Sequence, residues 1–252
     1  MTNVLTLFNQ KGGVGKSSLA LNVAVEMSQR GYRVIAIDND PQANLSSVLR
    51  GKKDISQGSL TRTLYEDGSP SFQQVREQLW ITNADQKLSE HQQNTRGLEN
   101  FAEIIRDVEK KNICDVIVID CNPSLTDLTR AAILAGTHWL IPIKCERWSI
   151  DGLAQANQTI VTLSKRYPRL FHGTFLGFLV NQYKRNTQEH RKYRNVLRKK
   201  YPEHLFEGVV SDSIALATAQ SKGMAVTEFK PNEKIASEIK EVTTEILNKM
   251  RD

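Results

Sequence analysis

Short apolar runs alternate with stretches of helical periodicity along the whole chain, and that alternation predicts βαβ units around a mostly parallel sheet. The runs expected to be strands are 4–8, 33–37, 79–82, 116–119, 139–143, 174–180 and 206–210. Val116-Ile117-Val118-Ile119 is apolar at every position, whereas a strand covered on one face would alternate, so helices are expected on both sides of the sheet. Residues 17–30 place Ala20, Leu21, Ala24, Val25 and Ser28 at helical spacing, and Gly31 stands where a helix turns left-handed to stop. Residues 51–58 and 66–71 are polar and rich in Gly and Ser, which reads as surface loops around a short helix. Further helices are expected over 187–200 and 233–250, the latter repeating Ile235, Ile239, Val242, Ile246 and Leu247 on one side. The fold class expected is α/β, a doubly wound and mostly parallel sheet in one domain spanning 1–252, with no internal repeat.

Composition narrows the class without changing it. The 252 residues are 39% hydrophobic and 25% charged, which excludes a disordered chain. No apolar stretch approaches the roughly 18 to 20 residues that a membrane span needs, and the opening Met1 to Phe8 carries no secretory pattern, so a cytosolic protein is expected. Cys114, Cys121 and Cys145 are an odd number without CxxC spacing, which favours reduced core thiols over a disulfide framework or zinc site. Trp139, Trp148 and the histidines lack ligand spacing and read as packing or surface residues.

Between the first strand and first helix lies Asn9-Gln10-Lys11-Gly12-Gly13-Val14-Gly15-Lys16-Ser17-Ser18. The usual phosphate-loop pattern GxxxxGK(S/T) fails at its first glycine, where Gln10 stands, but its second half is intact. Gly12, Gly13 and Gly15 permit positive φ and let successive N–H groups curl around a phosphate, aided by the positive end of the helix dipole. Lys16 would reach the β- and γ-phosphates and the Ser17 hydroxyl would ligate Mg²⁺. Asp120, ending an apolar strand, is where a carboxylate would hold the same ion. Asp38 and Asp40 close a neighbouring strand and are read as doing different jobs from each other.

The extra lysine in KGGxGK(S/T), Lys11, resembles the signature of the deviant Walker A ATPases, the ParA/MinD group. Asp38-Asn39-Asp40-Pro41-Gln42-Ala43-Asn44 is similar to that group's DxDPQxN, and Asp120-Cys121-Asn122-Pro123-Ser124-Leu125 to its DCPPSL. Ile141-Pro142-Ile143-Lys144-Cys145-Glu146 with Asp151-Gly152-Leu153 looks like its IPxxxE…EGL segment, so the resemblance runs from Asn3 to about Phe229. The resemblance implies an ATP- and Mg²⁺-dependent homodimer that hydrolyses ATP slowly and distributes plasmid, chromosomal or other cargo in a bacterial cytoplasm, nucleoid-associated, through a ParB-like or cargo adaptor. It also implies that Asp40 orients the attacking water, that Asp38 supports the switch or metal shell, and that Lys11 crosses to the partner's phosphates. Asn181 matches the position that reads adenine, and 211–214, with Ser211 and Asp212, would complete that pocket. A protein-cargo or conjugation-accessory ATPase, and an ATP-bound recruitment switch with little hydrolysis, remain the alternatives. A membrane positioner fits less well, because Glu238, Glu241 and Glu245 on the last helix oppose an anionic surface and favour docking onto the domain.

Two departures bear on partners. Asn122 replaces a proline of DCPP, and Asp212 and Ala215 stand where the family pattern IPRNVRLSEAP has arginines, one of which binds DNA in some relatives. The net charge of +6 is localised: residues 165–201 hold eleven Lys/Arg against Glu189 alone, a charge of +10 that leaves the remainder at −4. Arg191, Arg194 and Arg198 fall on one helical face, with Lys184, Arg185, Lys192, Lys199 and Lys200 around them, and suggest a contact to DNA phosphates without sequence preference.

Overall fold

The computed structural model describes residues 2–56, 58–66, 68–146 and 149–251, the side chains of 149–153 excepted. The readings placed on Trp148 and on the side chains of Asp151-Gly152-Leu153 fall outside what is described. The strands are β1 (Asn3–Leu7), β2 (Val34–Asn39), β3 (Gln73–Arg76), β4 (Leu79–Thr82), β5 (Val116–Cys121), β6 (His138–Ile143), β7 (Thr174–Tyr183) and β8 (Leu205–Ser211), in the sheet order β3-β4-β2-β5-β1-β6-β7-β8. All neighbours pair in parallel except β3 with β4. The helices are α1 (Lys16–Gln29), α2 (Asn44–Arg50), α3 (Thr95–Lys111), α4 (Asp127–Ala135), α5 (Ser149–Arg166), α6 (Gln188–Lys200), α7 (Ile214–Ser221), α8 (Val226–Phe229) and α9 (Lys234–Lys249).

Every residue of β2 and β5 is buried, because each face of the sheet carries its own apolar layer. Ile35, Ile37, Ile117 and Ile119 pack with Phe101, Ile105 and Leu128 of α3 and α4. Their alternating neighbours Ala36, Val116 and Val118 pack with Leu19, Val23 and Ile239 of α1 and α9 on the other face. Each large side chain so buried stabilises the fold by roughly 1.5–3 kcal/mol. Helix α1 stops as its sequence indicates. Gly31 takes φ 89°, its N–H bonds the Ser28 carbonyl at 2.9 Å, and the Tyr32 N–H reaches back to Met27 at 3.2 Å, a Schellman closure. The pattern missed β3, whose Gln73-Gln74-Val75-Arg76 is polar and four residues long and sits at the sheet edge.

Helix α9 docks on the domain as expected, with Ile235, Ile239, Val242 and Ile246 buried. Two of its acids, however, are internal acceptors: Glu245 takes the N–H groups of Glu207 and Gly208 at 2.9 Å each. Glu238 takes the Ser211 N–H at 2.7 Å and hydroxyl at 2.9 Å, and pairs with Arg185 at 2.8 Å. No helix among the described residues is long and apolar enough to cross a membrane.

Candidate nucleotide site

The site forms where the C-terminal ends of β1, β2 and β5 meet, because parallel register sets Leu7 and Asp38 on either side of Asp120. The loop 8–15 leaves β1 and enters α1. Gly13 and Gly15 use positive φ, at 71° and 82°, while Gly12 does not and instead faces Pro123. A Cβ on Gly15 would stand 2.5 Å from Asn181 Nδ2, so only glycine fits the close approach of β7 to the loop. Three side chains hold the loop in shape. Asn181 donates from Nδ2 to the Val14 carbonyl at 2.8 Å, and Gln182 donates from Nε2 to Gly13 at 3.2 Å. Asn9 spans from the Pro142 carbonyl of β6, 2.9 Å from its Nδ2, to the Lys11 N–H, 2.9 Å from its Oδ1. Asn9 and Gln182 were not singled out in the sequence; standing next to the motif and next to Asn181 was the one signal available.

Lys16 is buried inside this loop with Nζ donating to the carbonyls of Asn9 at 3.1 Å and Lys11 at 3.5 Å. Burial lowers its pKa, and Asp120, Cys121 and Asp40 push it back up, so the ammonium is a charge held in place by the carboxylates around it. Asp120 is fully buried, and both of its carboxylate oxygens lack any hydrogen-bond partner. Ser17 and Lys16 stand beside it and favour its charged form, but burial and Asp38 outweigh them and raise its pKa well above the ordinary range. Two unpartnered oxygens facing a hydroxyl and an ammonium are a costly arrangement in an empty site and a suitable one for a hard cation.

Asp38 is used differently. One oxygen accepts the Ser46 N–H at 2.7 Å and hydroxyl at 2.6 Å, and the other accepts the Asp40 N–H at 3.3 Å, so the carboxylate ties the strand end to α2. Asp40 lies past the strand end, nearly buried, and accepts the Gln42 N–H at 3.0 Å. The two carboxylates thus have different hydrogen-bond partners. Burial pushes the Asp38 carboxyl up to about 6 despite the Ser46 bonds that pull it down. An unfolded aspartate titrates near ~3.9, so the folded chain holds an extra proton between the two values. Stability from this group is present at low pH and lost as pH rises through about 6. Nucleotide-free protein should therefore melt at higher temperature at pH 5 than at pH 7, by about 2–3 °C for a gain on the order of 1 kcal/mol. Asp38→Asn should shrink that difference in calorimetry; a wild-type Tm that falls on acidification to pH 5 would contradict it.

Two open spaces adjoin the loop. One of about 280 Å³ lies between Ser17, Ser18, Leu21, Asn44 and Gln220. A second of about 190 Å³ is walled by Gly15, Asn181, Ser211, Asp212, Ser213 and Leu216, which brings together the residues expected around the base. Asp212 is paired with Lys184 at 3.8 Å, both about half exposed. Lys11 pairs with Glu146 of its own chain, and the ammonium lowers the Glu146 pKa.

On the basic helix Arg194 is partly buried and donates to the Glu207 carbonyl at 2.7 Å, whereas Arg198 is exposed and pairs with the Glu207 carboxylate. Arg191 bonds the Arg185 carbonyl at 3.1 Å, and Arg185 is held by Glu238. Arg191, Lys192, Lys199 and Lys200 stay exposed, Lys200 over the Tyr201 ring.

Residues 2–171 match the family model described as an AAA domain. The chain is 28% identical over 256 residues to the chromosome-partitioning ATPase Soj of Thermus thermophilus, covering 98% of this chain and 96% of that one. It is 30% identical over 240 residues to an uncharacterized protein of Pseudomonas putida, covering 91% and 88% respectively. The fold overlays the ATP complex of the Cyanothece protein McdA with a TM-score of 0.84 at 19% identity, over 97% of this chain and 96% of that one.

Proposed function

Since this chain belongs to the AAA-domain family, as a ParA/MinD-type ATPase, we propose that it binds ATP with Mg²⁺, dimerises around the nucleotide, hydrolyses it and so partitions DNA. The observation that carries the reading is the buried Asp120 carboxylate with both oxygens unpartnered, set beside Ser17 and Lys16. Ser17 and Asp120 would hold the Mg²⁺, which when bound supplies positive charge to the phosphate oxygens where negative charge grows. Among the described residues no three His, Cys, Asp or Glu side chains surround a common ion, so phosphates and water would complete its shell. Lys16 with the N–H groups of 12–17 would hold the β- and γ-phosphates. Asp40, near Asp120 but committed by one oxygen alone to the Gln42 N–H, would orient the attacking water. The space bounded by Asn181, Ser211 and Asp212 would take the base.

Dimerisation rests on Lys11. Its pair with Glu146 is 38% and 43% exposed, and a solvated ion pair of this kind is worth little. Exchange of Glu146 for a partner's phosphate therefore costs little. Lys11→Ala should bind ATP as a monomer, with light scattering showing no ATP-dependent dimer where wild type shows one. A dimer of the variant would remove the composite site.

Partition of DNA is supported by the relatives' role and the +10 segment. A cargo other than DNA is favoured by the missing arginines at Asp212 and Ala215 and by the bond that holds the partly buried Arg194 to the Glu207 carbonyl. In the ATP state, binding to random duplex should weaken steeply with salt. Lys192, Lys199 and Lys200 replaced by Ala should flatten the log–log slope by about 0.9 per lost phosphate contact. Failure of wild type to shift duplex DNA at low salt with ATP and Mg²⁺ would transfer the role to positioning a protein cargo.

A further inference from the structure

Helix α4 lies on the sheet face away from α1, and side chains from three neighbouring strands bond to it. Thr6 of β1 donates to the Ala132 carbonyl at 2.8 Å, Asn39 of β2 to Leu128 at 2.8 Å, and Trp139 of β6 to Ile133 at 2.9 Å. From α4 itself the Thr129 hydroxyl reaches the loop after β5, 2.5 Å from Asn122 Oδ1 and 2.7 Å from the Ser124 carbonyl. Thr6, Asn39, Asn122, Thr129 and Trp139 are all buried. The strands so tied end in the phosphate loop, in Asp38 and Asp40, and in Asp120.

Asn39 stands between the two switch carboxylates and, by strand alternation, points to the opposite face. Both ends of its amide are engaged: Nδ2 donates to Leu128, and Oδ1 accepts the Tyr65 hydroxyl at 2.8 Å. Tyr65 is itself stacked on Phe101 at 4.8 Å and His91 at 5.3 Å, and burial keeps its hydroxyl protonated as a donor. Asn122, where the DCPP pattern has proline, supplies an acceptor that proline lacks, and the next residue, Pro123, lies against Gly12. A displacement of Asp40 must therefore break the Asn39 bond or move α4, and moving α4 pulls the Asn122 loop.

We propose that α4 is a common brace that makes the turn 40–46 and the loop 122–126 open and close as one unit, with Asn39 and Asn122 as positioning residues acting through Leu128 and Thr129. Its consequence for hydrolysis rests on the ATPase reading above; the coupling of the two segments does not. Buried polar networks of this kind are where deletion of one member is felt by the rest. The geometry here is a pair of adjacent helix residues, 128 and 129, each gripping a different segment.

The test removes one hydroxyl from either end. Tyr65→Phe keeps the ring stack, and Thr129→Val keeps the shape. By hydrogen exchange on the nucleotide-free protein, Tyr65→Phe should speed exchange roughly three- to tenfold in 40–46 and by a similar factor in 122–126, which the Tyr65 hydroxyl does not touch, since it bonds Asn39 at 2.8 Å and the Leu128 carbonyl at 3.4 Å. Amides of β7 and β8 should not change. Thr129→Val should do the reciprocal, loosening 40–46 from the other side, and stands alone if Tyr65→Phe does not fold. Loosening confined to the segment next to the substitution, or in neither segment, overturns the brace. In single-turnover ATP hydrolysis each variant should lose rate with ATP affinity unchanged, and the double variant should lose little more than the worse single one. Losses that multiply would overturn the shared path. A wild type without hydrolysis, but with coupled exchange, would overturn the ATPase reading and leave the brace standing.

Discussion

Lys16→Ala should lose nucleotide affinity by a factor on the order of 10² to 10³ while the fold persists. The lysine is 6% exposed and its Nζ is held by two main-chain carbonyls of the loop that would wrap the phosphates, so it is placed before the ligand arrives. A charge-assisted contact from a buried, pre-positioned ammonium to the β- and γ-phosphates is worth several times a neutral hydrogen bond. The substitution also strips the cation from two carboxylates, Asp40 and Asp120, the second of which already has a pKa raised by burial. Asp120 would respond by taking a proton, which spares the fold, but the site would then meet a polyanion without the ammonium that Lys16 places inside the loop. Calorimetric titration with Mg·ATP, next to a melting curve that verifies folding, decides the matter. Affinity within a few-fold of wild type would mean that the loop is not the phosphate site.

The parts of this site written in consecutive residues were legible, and the parts made by distant ones were not. Val116 to Asp120 announces a doubly covered strand ending in a carboxylate, since both the apolar run and the charge that breaks it are local. The glycines, Lys16 and Ser17 follow the first strand at a spacing that leaves few other structures open. By contrast, the 3.6-residue period shows that Arg191, Arg194 and Arg198 share a face but not what that face meets. Arg194 and Arg198 meet Glu207, which lies in β8 beyond a turn, while Arg191 bonds the Arg185 carbonyl. Glu238 and Glu245 likewise read only as charges that oppose an anionic surface, and in the folded chain they accept main-chain N–H groups of β8. Asn39 and Asn122 looked like small variations within motifs. Their meaning appears when β2 and β5 lie side by side and put both asparagines against consecutive residues of α4. The polar strand β3 escaped because an edge strand of four residues buries too little to leave a pattern.

Asp40→Ala should give the reverse of the Lys16 phenotype: ATP bound at least as tightly, a persistent ATP dimer, and turnover reduced by roughly 10² to 10⁴. Asp40 is not the carboxylate committed to structure, since Asp38 carries the bonds from Ser46 and ties the strand to α2. Nor is it the ion site, since the unpartnered oxygens belong to Asp120. What remains for Asp40 is a nearly buried carboxylate just beyond β2, fixed by the Gln42 N–H and close enough to Asp120 to raise its pKa. Deleting it removes a negative charge from a pocket that must accept a triphosphate, so ground-state affinity holds or rises while water orientation is lost. Asp40→Asn separates charge from shape. The amide oxygen can still accept the Gln42 N–H, so the turn is kept, but the group can no longer take a proton from water. If both variants bind ATP and neither releases phosphate, Asp40 has the water-orienting role. Phosphate release by Asp40→Ala at the wild-type rate would remove that role from Asp40, and Asp38 would be the next carboxylate to test.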